Sequence, residues 1–312
     1  MNLTNLSNIH TPVLLEESIR FLNINANGTY VDCTAGRGGH AQNILAKLGS
    51  NGRLICLDND QVAIDFLTTY FNHDARVKLI KTNFTNLGNV LKELKINGVD
   101  GVLADLGVSS PMFDDASRGF SYHLDSKLDM RMDQTQKLNA HFVVNKYDAK
   151  QLTSIFKQYG EIANPRNVVN AILKYRKKNS IDTTLQLVDV IKGAVGKPTL
   201  FKKKHPARNY FQAIRIEVNN ELDNLIKLLN TIPSTLNHGA RVVIISFHSL
   251  EDRIVKQAFQ KWTSSNIPKE VPVLNEVIDF KEVTHKPVLA TNDEINNNLR
   301  ARSAKLRAVM KN

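Results

Sequence analysis

From residue 29 the chain alternates short apolar runs with stretches of helical spacing. TYVDCTA (29–35), RLICLD (53–58), VKLIKTNF (77–84) and VDGVLADLG (99–107) read as buried strands. Between them, GGHAQNILAKLG (38–49), VAIDFLTTYF (62–71) and LGNVLKELK (87–95) read as helices, with Gly49 placed to stop the first. Such alternation implies parallel β-α-β units in a doubly wound sheet. It then stops. A loop rich in Ser, Asp and Gly (108–130) is followed by helical segments only: NAHFVVNKY, AKQLTSIFKQYG, PRNVVNAILKYRKK and TTLQLVDVIKGAV. Pro165 suits the first turn of a helix begun by Asn164. One long amphipathic helix is expected over about 209–230, ended by Pro233. Strand character returns at ARVVIISF (240–247), a helix at LEDRIVKQAFQKW (250–262), and 263–312 shows no regular pattern. The predicted architecture is α/β, a Rossmann-like doubly wound sheet with an inserted all-helical domain. Residues 1–107 and 209–312 would form the first domain and 108–208 the second.

A length of 312 residues suits two domains, and 42% hydrophobic with 23% charged residues excludes disorder along the whole chain. Lysine plus arginine number 41 against 30 acids, a net charge of +11 that favours a polyanionic partner. No apolar run approaches the ~18 residues of a membrane span, and the first residues lack the pattern of a secretory signal. A cytoplasmic protein is therefore expected. Cys33 and Cys56 sit inside strand-like runs without a CxxC pair or a Cys/His cluster, so they read as reduced, buried thiols and not as metal ligands.

The first strand runs into Ala35-Gly36-Arg37-Gly38-Gly39-His40, a glycine turn that lets a ligand approach the backbone. Asp58 ends the second strand, 22 positions after Gly36, where a carboxylate accepts from ribose hydroxyls. That serves a dinucleotide or S-adenosylmethionine alike; the incomplete glycine fingerprint speaks against the dinucleotide. Asp32 could hold an amino group. Asp105 ends the fourth strand, on the edge where open α/β sheets bind ligands, and is either a loop-closing residue or an acceptor for a reacting N–H. Carbon-5 methylation of a pyrimidine needs a nucleophilic cysteine, which neither thiol resembles.

Basic side chains cluster three times. Residues 190–216 hold Lys192, Lys197, Lys202, Lys203, Lys204, Arg208 and Arg215 without an acid, interleaved with Phe201, Tyr210 and Phe211. Lys174-Tyr175-Arg176-Lys177-Lys178 is the second cluster; Arg300, Arg302, Lys305, Arg307 and Lys311 form the third. Each reads either as a solvated face or as a nucleic-acid contact.

The strings Asp32-Cys33-Thr34-Ala35-Gly36-Arg37-Gly38-Gly39-His40, Asp105 to Pro111, Arg118-Gly119-Phe120-Ser121, Leu128 to Asp133, His205-Pro206-Ala207, Phe211-Gln212-Ala213 and Ser246 to Arg253 occur in this order. With His10 to Leu14 at one end and Arg302 to Arg307 at the other, the chain resembles the bacterial 16S rRNA cytosine-N4 methyltransferases over nearly its whole length. The resemblance implies a class I S-adenosylmethionine-dependent methyltransferase fold. It implies S-adenosylmethionine as methyl donor and a cytidine N4 in the decoding region (P site) of 16S rRNA, within the small ribosomal subunit, as acceptor. Carried over by position, the cofactor contacts are Gly38, Gly39, His40, Asp58, Phe84 and Asp105, with Met112 where the family usually has glutamine; Asp105 is also the catalytic candidate. No membrane and no obligatory protein partner are implied, and a homodimer is left open.

Other departures are Glu161-Ile162 for a usual glutamate pair, Arg208-Asn209-Tyr210 with its arginine displaced, and Asn298-Leu299 for Asn-Pro. Asp129, Arg131 and Asp133 could be a structural cluster or part of a base pocket. His248 could orient substrate or cap a helix, and His205 reads as a loop residue or an RNA contact. A catalytically silent rRNA-binding assembly factor, a DNA cytosine-N4 methyltransferase and a nicotinamide-dependent oxidoreductase are the rival readings.

Overall fold

The computed structural model describes residues 12–71, 73–196, 205–264 and 278–312. His10 and Thr11, and Lys197, Phe201, Lys202, Lys203 and Lys204 of the first basic cluster, lie outside the described residues. The chain divides into two compact units, Met1–Gly107 with Leu222–Asn312 and Val108–Glu221. The return to the first unit thus falls at 221/222, one helix later than the 208/209 expected from the pattern.

The first unit runs α1 (Leu15–Leu22), β1 (Thr29–Asp32), α2 (Gly39–Leu45), β2 (Arg53–Asp58), α3 (Gln61–Phe71), β3 (Val77–Lys81), α4 (Leu87–Glu93) and β4 (Val99–Asp105). The second holds α5 (Ser110–Asp114), α6 (Ala140–Lys146), α7 (Ala149–Gln158), α8 (Arg166–Tyr175), α9 (Thr184–Ala194) and α10 (Arg208–Asn219). Then come α11 (Glu221–Thr235), β5 (Leu236–Ser246), α12 (Ser249–Thr263), β6 (Phe280–Glu282), β7 (Val288–Leu289), α13 (Asn292–Asn297) and β8 (Lys305–Lys311). The sheet order is β3-β2-β1-β4-β5-β8-β6, with β7 also on β8. Strands β1 to β5 are mutually parallel; β8 runs antiparallel between β5 and β6.

Parallel strands covered on both faces read as continuous apolar runs, which is why β1, β2 and β4 stand out in the sequence. Alternate residues serve opposite layers. Val31, Ile55, Val102 and Ile244 face α4, α11 and α12, while Tyr30, Leu54, Leu103 and Val243 face α1, α2 and α3. The helical unit has its own core, centred on Val143, Phe156, Ile172, Leu187, Phe211 and Ile214.

Two expectations are corrected. The single helix over 209–230 is broken in two, because Asn220 takes a left-handed conformation (φ 51°) that ends α10 before α11 begins at Glu221. Pro233 lies inside the last turn of α11 and does not end it. Of the stretch 263–312, residues 278–312 are more regular than they read. Strand β8 was hidden because its apolar positions, Leu306, Ala308 and Val309, are interleaved with basic ones.

Residues 118–136 form a cross-braced loop in the helical unit. The Arg131 guanidinium clasps Asp129 (2.6 and 3.0 Å) and donates to the carbonyls of Gln134 and Gln136 (2.8 Å each). Buried Arg118 donates to the carbonyls of Arg131 and Met132 at 3.0 and 2.9 Å. Asp133 accepts from Thr135 within the same turn. The Asp129–Arg131–Asp133 string is therefore a structural brace. Gly119 begins it at φ +70°, and a Cβ there would strike the Lys127 carbonyl oxygen. The substitution Gly119→Ala is expected to destabilise the protein by about 1–3 kcal/mol. Urea denaturation followed by circular dichroism checks this; an unchanged midpoint would mean that the loop yields freely.

Candidate active site

The candidate residues of the sheet unit meet at one edge because β1, β2 and β4 are adjacent and parallel. Asp32, Asp58 and Asp105 are the last residues of these strands. After β1 the chain turns through Gly36 (φ 51°) and Gly38 (φ 78°), conformations that side-chain-bearing residues rarely take. Gly38 caps α2, and a Cβ on Gly39 would collide with the Pro12 ring. The turn is tied to the next strand, since Gly36 N–H donates to Asp58 Oδ2 at 2.7 Å. Asp60 N–H donates to Asp58 Oδ1 at 2.8 Å, and Asp105 N–H donates to Thr34 Oγ1 at 2.7 Å.

His40, in the first turn of α2, is buried at 6% exposure. Its Nε2 stands 3.6 Å from Asp105 Oδ2, an ion-pair separation longer than a hydrogen bond. Both ring nitrogens, Asp32 Oδ2 and Asp105 Oδ1 are buried without a hydrogen-bond partner in the protein. Buried polar atoms without a partner are uncommon and are a feature of sites that bind a polar ligand.

Burial sets the electrostatics. Desolvation pushes Asp32 up to about 6, although His40 and the Thr34 N–H draw it down. Desolvation likewise pushes Asp58 up to about 6 against the hydrogen bonds from Asp60 and Gly36. For His40 burial disfavours the charged ring, but Asp105 and Asp32 outweigh it and raise the imidazole above its ordinary value. A group of carboxylates around one imidazole repels a pyrophosphate and attracts a cation. S-adenosylmethionine carries an ammonium and a sulfonium, and its ribose can donate to Asp58. The residues present suit that ligand: the unpaired Asp32 Oδ2 can accept from an ammonium, and Asp58, whose oxygens already accept from Gly36 and Asp60, has further lone pairs for a ribose hydroxyl.

Phe84 opens a short 3-10 turn (Phe84–Asn86) after β3 and is half-buried against the sheet core. Met112 lies in α5 and is buried in the core of the helical unit. His248 caps α12: its Nδ1 accepts from the Glu251 N–H at 3.4 Å, while Glu251 Oε2 accepts from the Phe247 N–H at 2.8 Å.

The basic clusters are partly internal. Lys305 and Arg307 project from β8 onto Asp252 at 3.0 and 2.8 Å, and Lys311 donates to the carbonyls of Pro233 and Leu236. Arg215 clasps Glu221 through two 2.8 Å bonds, and Arg176 donates to the Val144 carbonyl. The pairing of His40 with Asp105 and the Thr34 brace carried no local signal, because their partners lie far along the chain.

An open sheet with one antiparallel strand between β5 and β6, and a carboxylate-rich crevice at the ends of β1, β2 and β4, defines a class I S-adenosylmethionine-dependent methyltransferase. The MraW methylase family matches residues 7–312, and the chain belongs to that family. It is 52% identical over 305 residues to the ribosomal RNA small subunit methyltransferase H of Ureaplasma urealyticum, covering 98% of this chain and 99% of that protein. The Malacoplasma penetrans protein of the same name is 46% identical over 303 residues (97% of each), and the Oceanobacillus iheyensis one 45% over 309 (97% and 94%). A looser likeness is to the solved structure of a putative rRNA-methylase from Clostridium thermocellum (13% identity, TM-score 0.44, 99% and 97% covered).

If Asp58 holds the ribose as a carboxylate, affinity for S-adenosylmethionine follows its ionisation. The raised value means that protonation sets in near pH 6 and not near 4, so the dissociation constant should be flat above about pH 7 and climb as pH falls through 6. The variant Asp58→Asn should bind about tenfold more weakly at pH 8, equivalent to ~1.4 kcal/mol, and show a shallower climb below pH 7, the part that remains being due to Asp32. Calorimetric titrations from pH 5 to 8 check both.

Proposed function

We propose that this protein transfers a methyl group from S-adenosylmethionine to the exocyclic N4 of one cytidine in the decoding region of 16S rRNA, within the small subunit in the cytoplasm. The observation that carries the chemistry is the buried, unpartnered Oδ1 of Asp105 at the carboxyl end of β4.

An exocyclic amino nitrogen is a poor nucleophile because its lone pair is delocalised into the ring. A carboxylate that accepts an N4–H bond favours the pyramidal nitrogen and stabilises the charge that develops on it. Bound S-adenosylmethionine supplies an electrophilic methyl group on a sulfonium. Asp105 orients the amine and receives the proton that N4 sheds. His40, its Nε2 3.6 Å from Asp105 Oδ2, helps to fix the position of that carboxylate. The target base must leave its stack to reach the crevice. Burial pushes the Cys33 and Cys56 thiols up, so neither supplies a thiolate for carbon-5 chemistry.

Labelled S-adenosylmethionine offered with unmodified 16S rRNA, naked and in small subunits, should yield N4-methylcytidine at one position, read by nucleoside mass spectrometry. The variant Asp105→Ala is expected to lose at least about 100-fold in rate while binding the cofactor within a few-fold. Near-normal turnover would overturn its role. In His40→Asn, Asp32 would lose the ring that draws its proton affinity down, and would keep its proton to higher pH. The acidic limb of the rate profile should therefore move towards neutrality. A changed KM for cofactor with an unmoved profile would make His40 a cofactor contact only.

A further inference from the structure

Two strings of the helical unit have no part in the crevice chemistry: the segment after Arg118-Gly119-Phe120-Ser121, and His205-Pro206-Ala207. The fold brings them together. The Tyr122 and His205 rings lie nearly parallel, with centroids 4.8 Å apart and 14° between planes. His123 stands 4.5 Å from Tyr122 and 5.4 Å from His205. Buried Phe211 of α10 meets Tyr122 edge-on at 5.7 Å and fixes it from below.

The cluster lies at the edge of the helical core: Tyr122 packs against that core and is half-buried, as is His205, whereas His123 is exposed and neighbouring Leu124 is 43% exposed. The charged groups that act on His205 are Lys192 and His123, both basic. Lys192 is exposed at the end of α9. The Ala207 N–H donates to His205 Nδ1 at 3.3 Å, which leaves the ring hydrogen on Nε2. Burial, with Lys192 and His123 beside it, holds this imidazole below its ordinary range, so it stays neutral at pH 7. The result is a set of flat, partly exposed rings, with an exposed lysine acting on one of them.

We propose that Tyr122, His123 and His205 form a stacking platform for an unpaired base of the RNA substrate, with Lys192 on a neighbouring phosphate. The proposal rests on the reading of the substrate as RNA. Flat π-faces take any base, and single-stranded RNA is the form in which bases are free to stack on protein rings. The exposed Lys192 ammonium, which acts on His205, suits a polyanion and not an acid-free apolar surface of another protein.

The test measures KM for 16S rRNA and for S-adenosylmethionine in Tyr122→Leu, Tyr122→Trp and His205→Ala, with affinity for a labelled single-stranded RNA followed against salt. Leucine keeps apolar packing on Phe211 but removes the π-face. Tyr122→Leu and His205→Ala should raise KM for RNA about tenfold, Tyr122→Trp should not, and KM for the methyl donor should stay put. Tyr122→Leu should weaken RNA binding without changing the salt slope, whereas Lys192→Ala should reduce the slope by about 0.7. An unchanged KM for RNA in Tyr122→Leu, or a loss equal for both substrates, would overturn the platform while the wild type still methylates. A wild type that binds the cofactor but methylates no rRNA would instead overturn the substrate reading, and the platform with it.

Discussion

The site rests on the burial of carboxylates at the ends of adjacent parallel strands. Asp32 and Asp58 lie far enough from water that each binds a proton near pH 6, and Asp105 joins them from β4. Bringing such groups together is unfavourable by itself, since each charge raises its neighbours' demand for a proton. The fold offsets this with backbone N–H donors from Gly36, Asp60 and Thr34, and with the His40 imidazole between Asp32 and Asp105. What remains is a fixed negative potential with spare acceptors, suited to a cationic nucleoside and hostile to a phosphate. On the proposed reading, specificity for the methyl donor would arise from the same desolvation that makes the site unfavourable to build.

Much of this was legible in the sequence where one element carried the whole signal. Strands β1, β2 and β4 are buried on both faces and appear as apolar runs, and each ends on its aspartate at a place where a loop must follow. The glycine turn was legible for the same reason. Pairings between distant segments were not. Nothing near His40 indicates that it sits against Asp105, and nothing near Tyr122 indicates His205.

Charge misled more than hydrophobicity did. Lys305, Arg307 and Lys311 read as an acid-free basic stretch, yet their partners, Asp252 and the carbonyls of Pro233 and Leu236, lie on elements that precede them. A strand with paired basic residues on alternate positions looks locally like an exposed tail. Asp129, Arg131 and Asp133 likewise have the residue types of a reactive cluster, but they brace a turn. Asn220 ended a helix that the apolar spacing would have continued, because one left-handed residue leaves the spacing intact while breaking the helical hydrogen bonding.

The discontinuity of the sheet unit bears on how the protein assembles. Pairing β4 with β5, from Gly101 on Arg241 to Asp105 on Ile245, closes a loop that contains the entire helical unit. Closure entropy grows only logarithmically, so lengthening a loop from about ten to about a hundred residues adds about 2 kcal/mol to the unfavourable term. The rate is affected more, because distant contacts must form before they are rewarded. The helical unit has a core of its own and many contacts between consecutive helices, so it can condense without the sheet. Its early collapse would shorten the effective span between β4 and β5, and the insertion would then act as a folding aid for the half of the molecule that it interrupts.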